Sequence, residues 1–353
     1  MKKNSKIYNI FKKGETLSLS RFIFLCLYEK NHGYYQKNRI GTDFVTAPEI
    51  SQLFGECISI FIASINQKIG NIRDFCELGP GNGTLTKDLS KNLNKLIKDK
   101  LNFYLFEKSN NLKTDIKKNT NDINISLIKK LTFPPRPIFF IANEFFDALP
   151  INQYLKYKDA WYEKKVNFLS NGKIEYSNYK VNIKNIEKNV GYKVSKNQKI
   201  LEISKTGIKF LKEISKLINK NNGGLLIIDY GYLEEKMKNT LRGMRNHKIV
   251  NILSNYKTCD ITYSLSFNFL SMIAKQLNLN VSGITTQGNF LKSLGILKRA
   301  EIISKNLSFS KKADIYFRLE KLIDKKFMGD IFKVMLLTNS KINFKIGFPT
   351  DKI

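Results

Sequence analysis

The sequence predicts an α/β protein: a mainly parallel sheet with crossover helices, preceded by a helical region and interrupted by a β-rich insertion. Two observations carry this. From about residue 71, the short apolar runs NIRDFCEL, LNFYLFE (101–107) and PIFFIAN (137–143) occur, the early ones separated by helical patterns, the rhythm of parallel strands joined by crossover helices. Their compactness and aromatic or β-branched content suit strands buried on both faces. Over 151–200 the rhythm changes: aromatic and polar residues roughly alternate around an Asn-Gly pair, which signals hairpins.

Each region follows from its own pattern. Residues 1–66 read as mostly helical around a loop at 31–49, because FLCLYEK and ISQLFGECISIFIASI repeat apolar positions at helical spacing. Thr46, Pro48 and Glu49 make a helix start: a capping hydroxyl, a proline in the first turn, then an acid. Residues 67–150 form the first half of the α/β core, and 151–203 the β-rich insertion on the substrate side. Residues 204–353 form the second half, with a helix over about 204–219 and strands in GGLLIIDYG (223–231), VSGITT and FKVMLLT.

Composition limits the function classes. The 353 residues include 42% hydrophobic and 12% aromatic side chains, enough for a sizeable core. Four scattered cysteines without C-x-x-C spacing, beside two histidines, suggest neither a disulfide scaffold nor a zinc site. RFIFLCLY (21–28) is too short to span a bilayer, and the basic N-terminus lacks the features of a signal or transit peptide. A cytoplasmic setting is expected. The net charge of +30 invites a nucleic-acid partner, but lysines spread along the whole chain read as a solvated surface.

The chemistry concentrates in FCELGPGNGTLTKDL (75–89), where Gly79, Pro80, Gly81 and Gly83 lie between a strand and a helix. Glycines permit a tight turn and close approach of a ligand to backbone amides. A dinucleotide fingerprint would place its last glycine where Thr84 stands, and no G-x-x-x-x-G-K-[ST] loop is present here. Glu77 would repel a pyrophosphate but favour a ligand carrying an ammonium and a sulfonium, as S-adenosylmethionine does. Glu107 closes the next strand, where an acid can accept hydrogen bonds from two ribose hydroxyls.

The loop with Glu77 and Glu107 resembles class I S-adenosylmethionine-dependent methyltransferases. HGYYQKNRIGTDFVTAPEISQLFGE (32–56), ELGPGNGTL (77–85), ANEFFDALPINQY (142–154), GGLLIIDYG, LRGMRNHK (241–248), DITYSLSF (260–267) and TTQGNFLKSLGI (285–296) resemble the MidA-like branch, over roughly residues 20–300. The resemblance implies a Rossmann-like methyltransferase sheet. It also implies a protein substrate, since the family includes a mitochondrial complex I assembly factor that methylates an arginine of a complex I subunit. A homodimer is the other association to expect, and the mitochondrial matrix is the setting if the chain is eukaryotic. Departures from the family pattern fall at Thr42, Asn82 and Ser266, and leave substrate choice open.

ANEFFDALP puts Asn143, Glu144 and Asp147 at the carboxyl end of a strand, where open α/β sheets bind ligands. Glu144 and Asp147 would share a side if the segment turned helically. Two acids can hold a guanidinium bidentately and orient its nitrogen, so both are expected catalytic residues. Asn143, Thr46, Pro48 and Glu49 join the glycine loop, Glu77 and Glu107 around the donor. His247, in RGMRNHK, could collect a proton. Tyr34, Tyr35 and Phe44 could pack over the nucleoside. A nucleic-acid methyltransferase is the competing class, but N-P-P-Y and D-P-P-Y are absent, with NEFFDALP in their place. An assembly factor that binds the donor without turnover is the third.

Overall fold

The computed structural model describes residues 11–30, 32–37, 45–256, 258–339, 341 and 344–349. Its centre is a sheet with seven main strands, numbered here in chain order. They are β1 (Asp74–Leu78), β2 (Asn102–Phe106), β3 (Ile125–Ile128), β4 (Ile138–Asn143), β5 (Gly223–Tyr232), β6 (Leu279–Thr286) and β7 (Phe332–Asn339). Across the sheet they lie in the order β3-β2-β1-β4-β5-β7-β6, and a two-residue strand, Leu265–Ser266, continues beside the end of β5. Neighbours from β3 through to β5 are parallel, while β7 runs antiparallel to both β5 and β6. The order reverses between β1 and β4, a switch point whose carboxyl-end crevice receives ligands in such sheets.

Alternation along the strands separates two cores. Cys76, Leu78, Phe140 and Ala142 face one, with Phe210, Leu211 and Ile214 packed over them. Phe75, Phe103, Phe139 and Ile141 face the other, with Phe61, Ile62, Leu89 and Leu93. All are buried, and each Leu, Ile or Phe side chain among them stabilises the fold by roughly 1.5–3 kcal/mol. The covering helices are α1 (Leu19–Tyr28), α2 (Gln52–Ile69), α3 (Thr84–Leu96) and α4 (Lys205–Asn221). Ser18, Ser51 and Ser204 cap three of them through side-chain oxygens that accept from Arg21, Leu53 and Gly207 amides.

The segment after β4 folds as antiparallel strands Asn152–Tyr157, Ala160–Phe168, Ile174–Val181 and Ile200–Ile203. Thr16–Ser18 completes this sheet by pairing with Asn167–Lys165. Within the mostly helical region up to residue 66, a strand therefore precedes α1 and belongs to the insertion's sheet. A further small sheet joins Arg242–Arg245, Lys248–Val250 and Asp260–Thr262. Neither the edge strand β3 nor this small sheet has a counterpart in the sequence-based expectations. At the end of β1 away from the switch point, buried Asp74 accepts two hydrogen bonds from Arg136 at 2.7 Å and one from Asn102.

Candidate active site

The glycine loop leaves β1 through three left-handed residues, Gly79, Gly81 and Gly83 at φ 64°, 60° and 87°. A side chain is strained at such angles, and a Cβ on Gly79 would also lie 2.9 Å from Phe145 Cδ2. Beyond the loop is a cavity of about 340 Å³ at the carboxyl end of the sheet. Thr46, Pro48, Glu77, Gly79, Pro80, Gly81, Glu107, Asn143 and Glu144 all line it. Gly83 sits behind them as the cap residue of α3.

The polar walls of this cavity are incompletely satisfied. Glu77 accepts a hydrogen bond from the Thr86 hydroxyl, yet its burial pushes its pKa up to about 7. Glu107 accepts from the Ser109 amide at 2.6 Å; burial raises its pKa, and the Ser109 and Lys108 amides oppose the rise. Asn143 is 8% exposed and its Oδ1 has no hydrogen-bond partner, which is uncommon for a buried polar atom. Glu49 lies outside the lining but organises it. It accepts from the Thr46 amide and hydroxyl, and from Asn82 Nδ2 at 2.8 Å. Asn82, one of the departures from the family pattern, thus ties the glycine loop to the Thr46 segment. Tyr35 lines the cavity, Tyr34 is in the core beside it, and Phe44 is outside the described residues.

At one wall of the cavity Glu144 meets two further acids, Asp147 and Asp229. The segment after β4 bends instead of winding into a helix, with Glu144 at φ 51° and its amide donating to Ile228 O. Burial, then the nearby Asp147, pushes Glu144 up to about 8, against the pull of the Ala47 amide and the Asn143 side chain. Asp147 accepts from Thr262 Oγ1 at 2.8 Å. Burial raises it to about 6, while Thr262 and the Arg242 charge hold it down. Asp229 was not anticipated as a site residue. Its Oδ2 accepts from the Phe146 and Asp147 amides at 2.9 and 3.3 Å, and its Oδ1 accepts from the Tyr230 amide. Burial, Asp147 and Glu144 all drive its pKa well up. The available signal was an acid ending the apolar run GGLLII on β5, the strand beside β4.

His247 is not brought to this group. It is exposed at the tip of the two-residue hairpin between Arg245 and Lys248. Asn246 and His247 there adopt φ 49° and 60°, the turn that two-residue hairpins favour.

The sequence of residues 57–285 matches a family described as "Putative S-adenosyl-L-methionine-dependent methyltransferase". The chain belongs to this methyltransferase family. Curated relatives of this methyltransferase include the Xenopus tropicalis protein arginine methyltransferase NDUFAF7, mitochondrial, 30% identical over 85% of this chain and 76% of the relative. Its Homo sapiens counterpart is 28% identical over 86% and 76%. These matches agree with the MidA-like resemblance. A Burkholderia thailandensis protein, crystallised with S-adenosyl-homocysteine, has the same fold at a TM-score of 0.79 and 22% identity, over 96% of this chain and 91% of that one.

S-adenosylmethionine is the methyltransferase's cofactor, and the cavity suits it. Two carboxylates, the buried Glu77 and the half-buried Glu107, offer acceptors and negative charge, with no side chain at Gly79 or Gly81 to obstruct a ligand. Among the described residues no helix is long and apolar enough to cross a membrane.

Proposed function

We propose that this methyltransferase methylates a guanidinium nitrogen of a protein arginine, on a subunit of respiratory complex I, and so supports assembly of that complex. The observation that carries the reading is the group of acids at the donor cavity, half-buried Glu144 in its wall with buried Asp147 and Asp229 behind it. Clustered carboxylates shielded from water without enough cations call for a positive ligand, and a guanidinium presents a planar fork of donors to them. The relatives named as protein arginine methyltransferases support the same acceptor.

In this reading Glu77, Gly79, Pro80, Gly81, Glu107 and Asn143 hold the donor. Thr46 and Pro48 close the cavity beside it, and Glu49 holds them to the glycine loop through Thr46 and Asn82. Bound S-adenosylmethionine supplies an electrophilic methyl group on a cationic sulfur. Glu144, in the cavity wall, holds the acceptor guanidinium, and Asp147 holds its other edge. Asp229 keeps the bend between the two acids in place through the Phe146 and Asp147 amides. The arginine nitrogen gains the N–CH3 bond as the S–CH3 bond breaks, and it loses a proton that a Glu144 carboxylate oxygen can accept. Orientation of this kind supplies about 7–11 kcal/mol of the barrier, so a strong base is not needed beforehand. The reaction then belongs to the cytoplasm of a bacterial cell, or to the matrix of a mitochondrion.

The test is transfer of labelled methyl from S-adenosylmethionine to a complex I subunit fragment, read by mass spectrometry. Label on arginine that disappears in Glu144→Gln is the expected result. Label on nucleic acid, or tight donor binding with no transfer to any acceptor, would overturn it.

A further inference from the structure

The β-rich insertion ends in a buried carboxylate that the chemistry above does not use. Glu202, 6% exposed in the strand Ile200–Ile203, accepts from Gln153 Nε2 on the adjacent strand at 2.6 Å. It also accepts from the Thr240 and Leu241 amides at 3.0 and 3.1 Å, and from the Thr240 hydroxyl at 2.5 Å. Thr240 Oγ1 in turn accepts from the Ser264 amide at 2.9 Å. Thr240 and Ser264 lie just outside the strands Arg242–Arg245 and Asp260–Thr262, whose register sets Arg242 directly opposite Thr262. One acid of the insertion therefore fixes two strands of the small sheet at the same end.

That end is the one facing the acids. Thr262 donates to Asp147, and the Arg242 guanidinium lies 5.4 Å above the Tyr230 ring, the residue following Asp229. From the same sheet Asp260 accepts from the hydroxyl of Tyr35, a wall of the donor cavity. Charge-assisted hydrogen bonds such as those to Glu202 are short and directional, so they transmit position and not merely attraction.

We propose that Glu202 is a positioning residue for the acceptor: it anchors the small sheet so that Arg242 and Thr262 form the wall opposite Asp147. The β-rich insertion thereby takes part in recognising the acceptor without touching it. This rests on the acid cluster being the acceptor site.

The full-length chain tests it in the variants Glu202→Gln, Thr240→Val and Thr240→Ser. Glu202→Gln should raise the acceptor KM about tenfold, with S-adenosyl-homocysteine affinity within about twofold of wild type by calorimetry. Thr240→Val should move KM the same way, and Thr240→Ser, which keeps the hydroxyl, should restore it. Hydrogen exchange should quicken in 240–245 and 260–264 while β1, β4 and β5 stay protected. Unchanged acceptor KM in Glu202→Gln, equal loss of donor affinity, or exchange that quickens through the whole core would each overturn the proposal. If wild type labels some group other than arginine, the arginine reading fails; the KM comparison is then made on the acceptor that takes the label, and still decides whether Glu202 positions it.

Discussion

Glu77 and Glu144 keep protons to about pH 7 and 8, where an ordinary glutamate titrates near 4.5, and in both burial is the largest cause. A carboxylate raised in this way holds a proton that the unfolded chain has lost. Its burial therefore costs stability as pH rises from about 4.5 through the folded value, and costs nothing at lower pH. Replacing Glu77 by Gln should stabilise the unliganded protein at pH 8, by at most about 3 kcal/mol, because an amide can still accept from Thr86. The same variant should weaken donor binding at least about tenfold; thermal unfolding and calorimetry read the two effects separately. Glu144 and Asp147 must be ionised to hold a cation, so acceptor kcat/KM should fall on the acid side through about 8 and 6. Removing the Arg242 charge, as in Arg242→Met, takes away an influence that lowers Asp147. The lower limb of that profile should then move to higher pH, whereas Arg242→Lys should leave it nearly in place.

The strands differ in how openly the sequence announces them. β1, β4 and β7 are buried along their whole lengths, and a continuous apolar run can be read without knowing its neighbours. β3 is only partly buried at the sheet edge, so ISLI carries little pattern. Thr16–Ser18 is three residues long and owes its form to a partner about 150 positions away, which no local window includes. After β4 the helical spacing of Glu144 and Asp147 misled for a related reason. The bend depends on Asp229, which binds the Phe146 and Asp147 amides from another strand. The donor side was more legible than the acceptor side because its residues sit in one contiguous loop, while Asp229, Arg242 and Thr262 meet only through tertiary structure. The loop also has a sharp test: Gly79→Ala should cost about 1–2 kcal/mol from the left-handed backbone alone, and more as the methyl meets Phe145. At the opposite end of β1, Arg136→Ala would strand the Asp74 charge in the core. A loss of about 3 kcal/mol in denaturant unfolding is expected, with donor affinity unchanged.

For the molecule as a whole, the acids gathered at the switch point make stability and ligation trade against each other. Unliganded protein should melt at a higher temperature near pH 5.5 than near pH 8 as far as these groups govern it, and the thermal shift given by S-adenosylmethionine should widen over the same interval. An equal shift at both pH values would show that the donor's charge is not what the carboxylates answer. The pairing of Leu17 with Val166 has a temporal side as well. During synthesis the first strand must wait for nearly 150 further residues to emerge, roughly 10–30 s at ordinary translation rates. Until then its backbone groups have no ladder to join, and a ribosome-bound chain stopped before residue 160 should show α1 without its leading strand, a state that proteolysis of stalled nascent chains can detect.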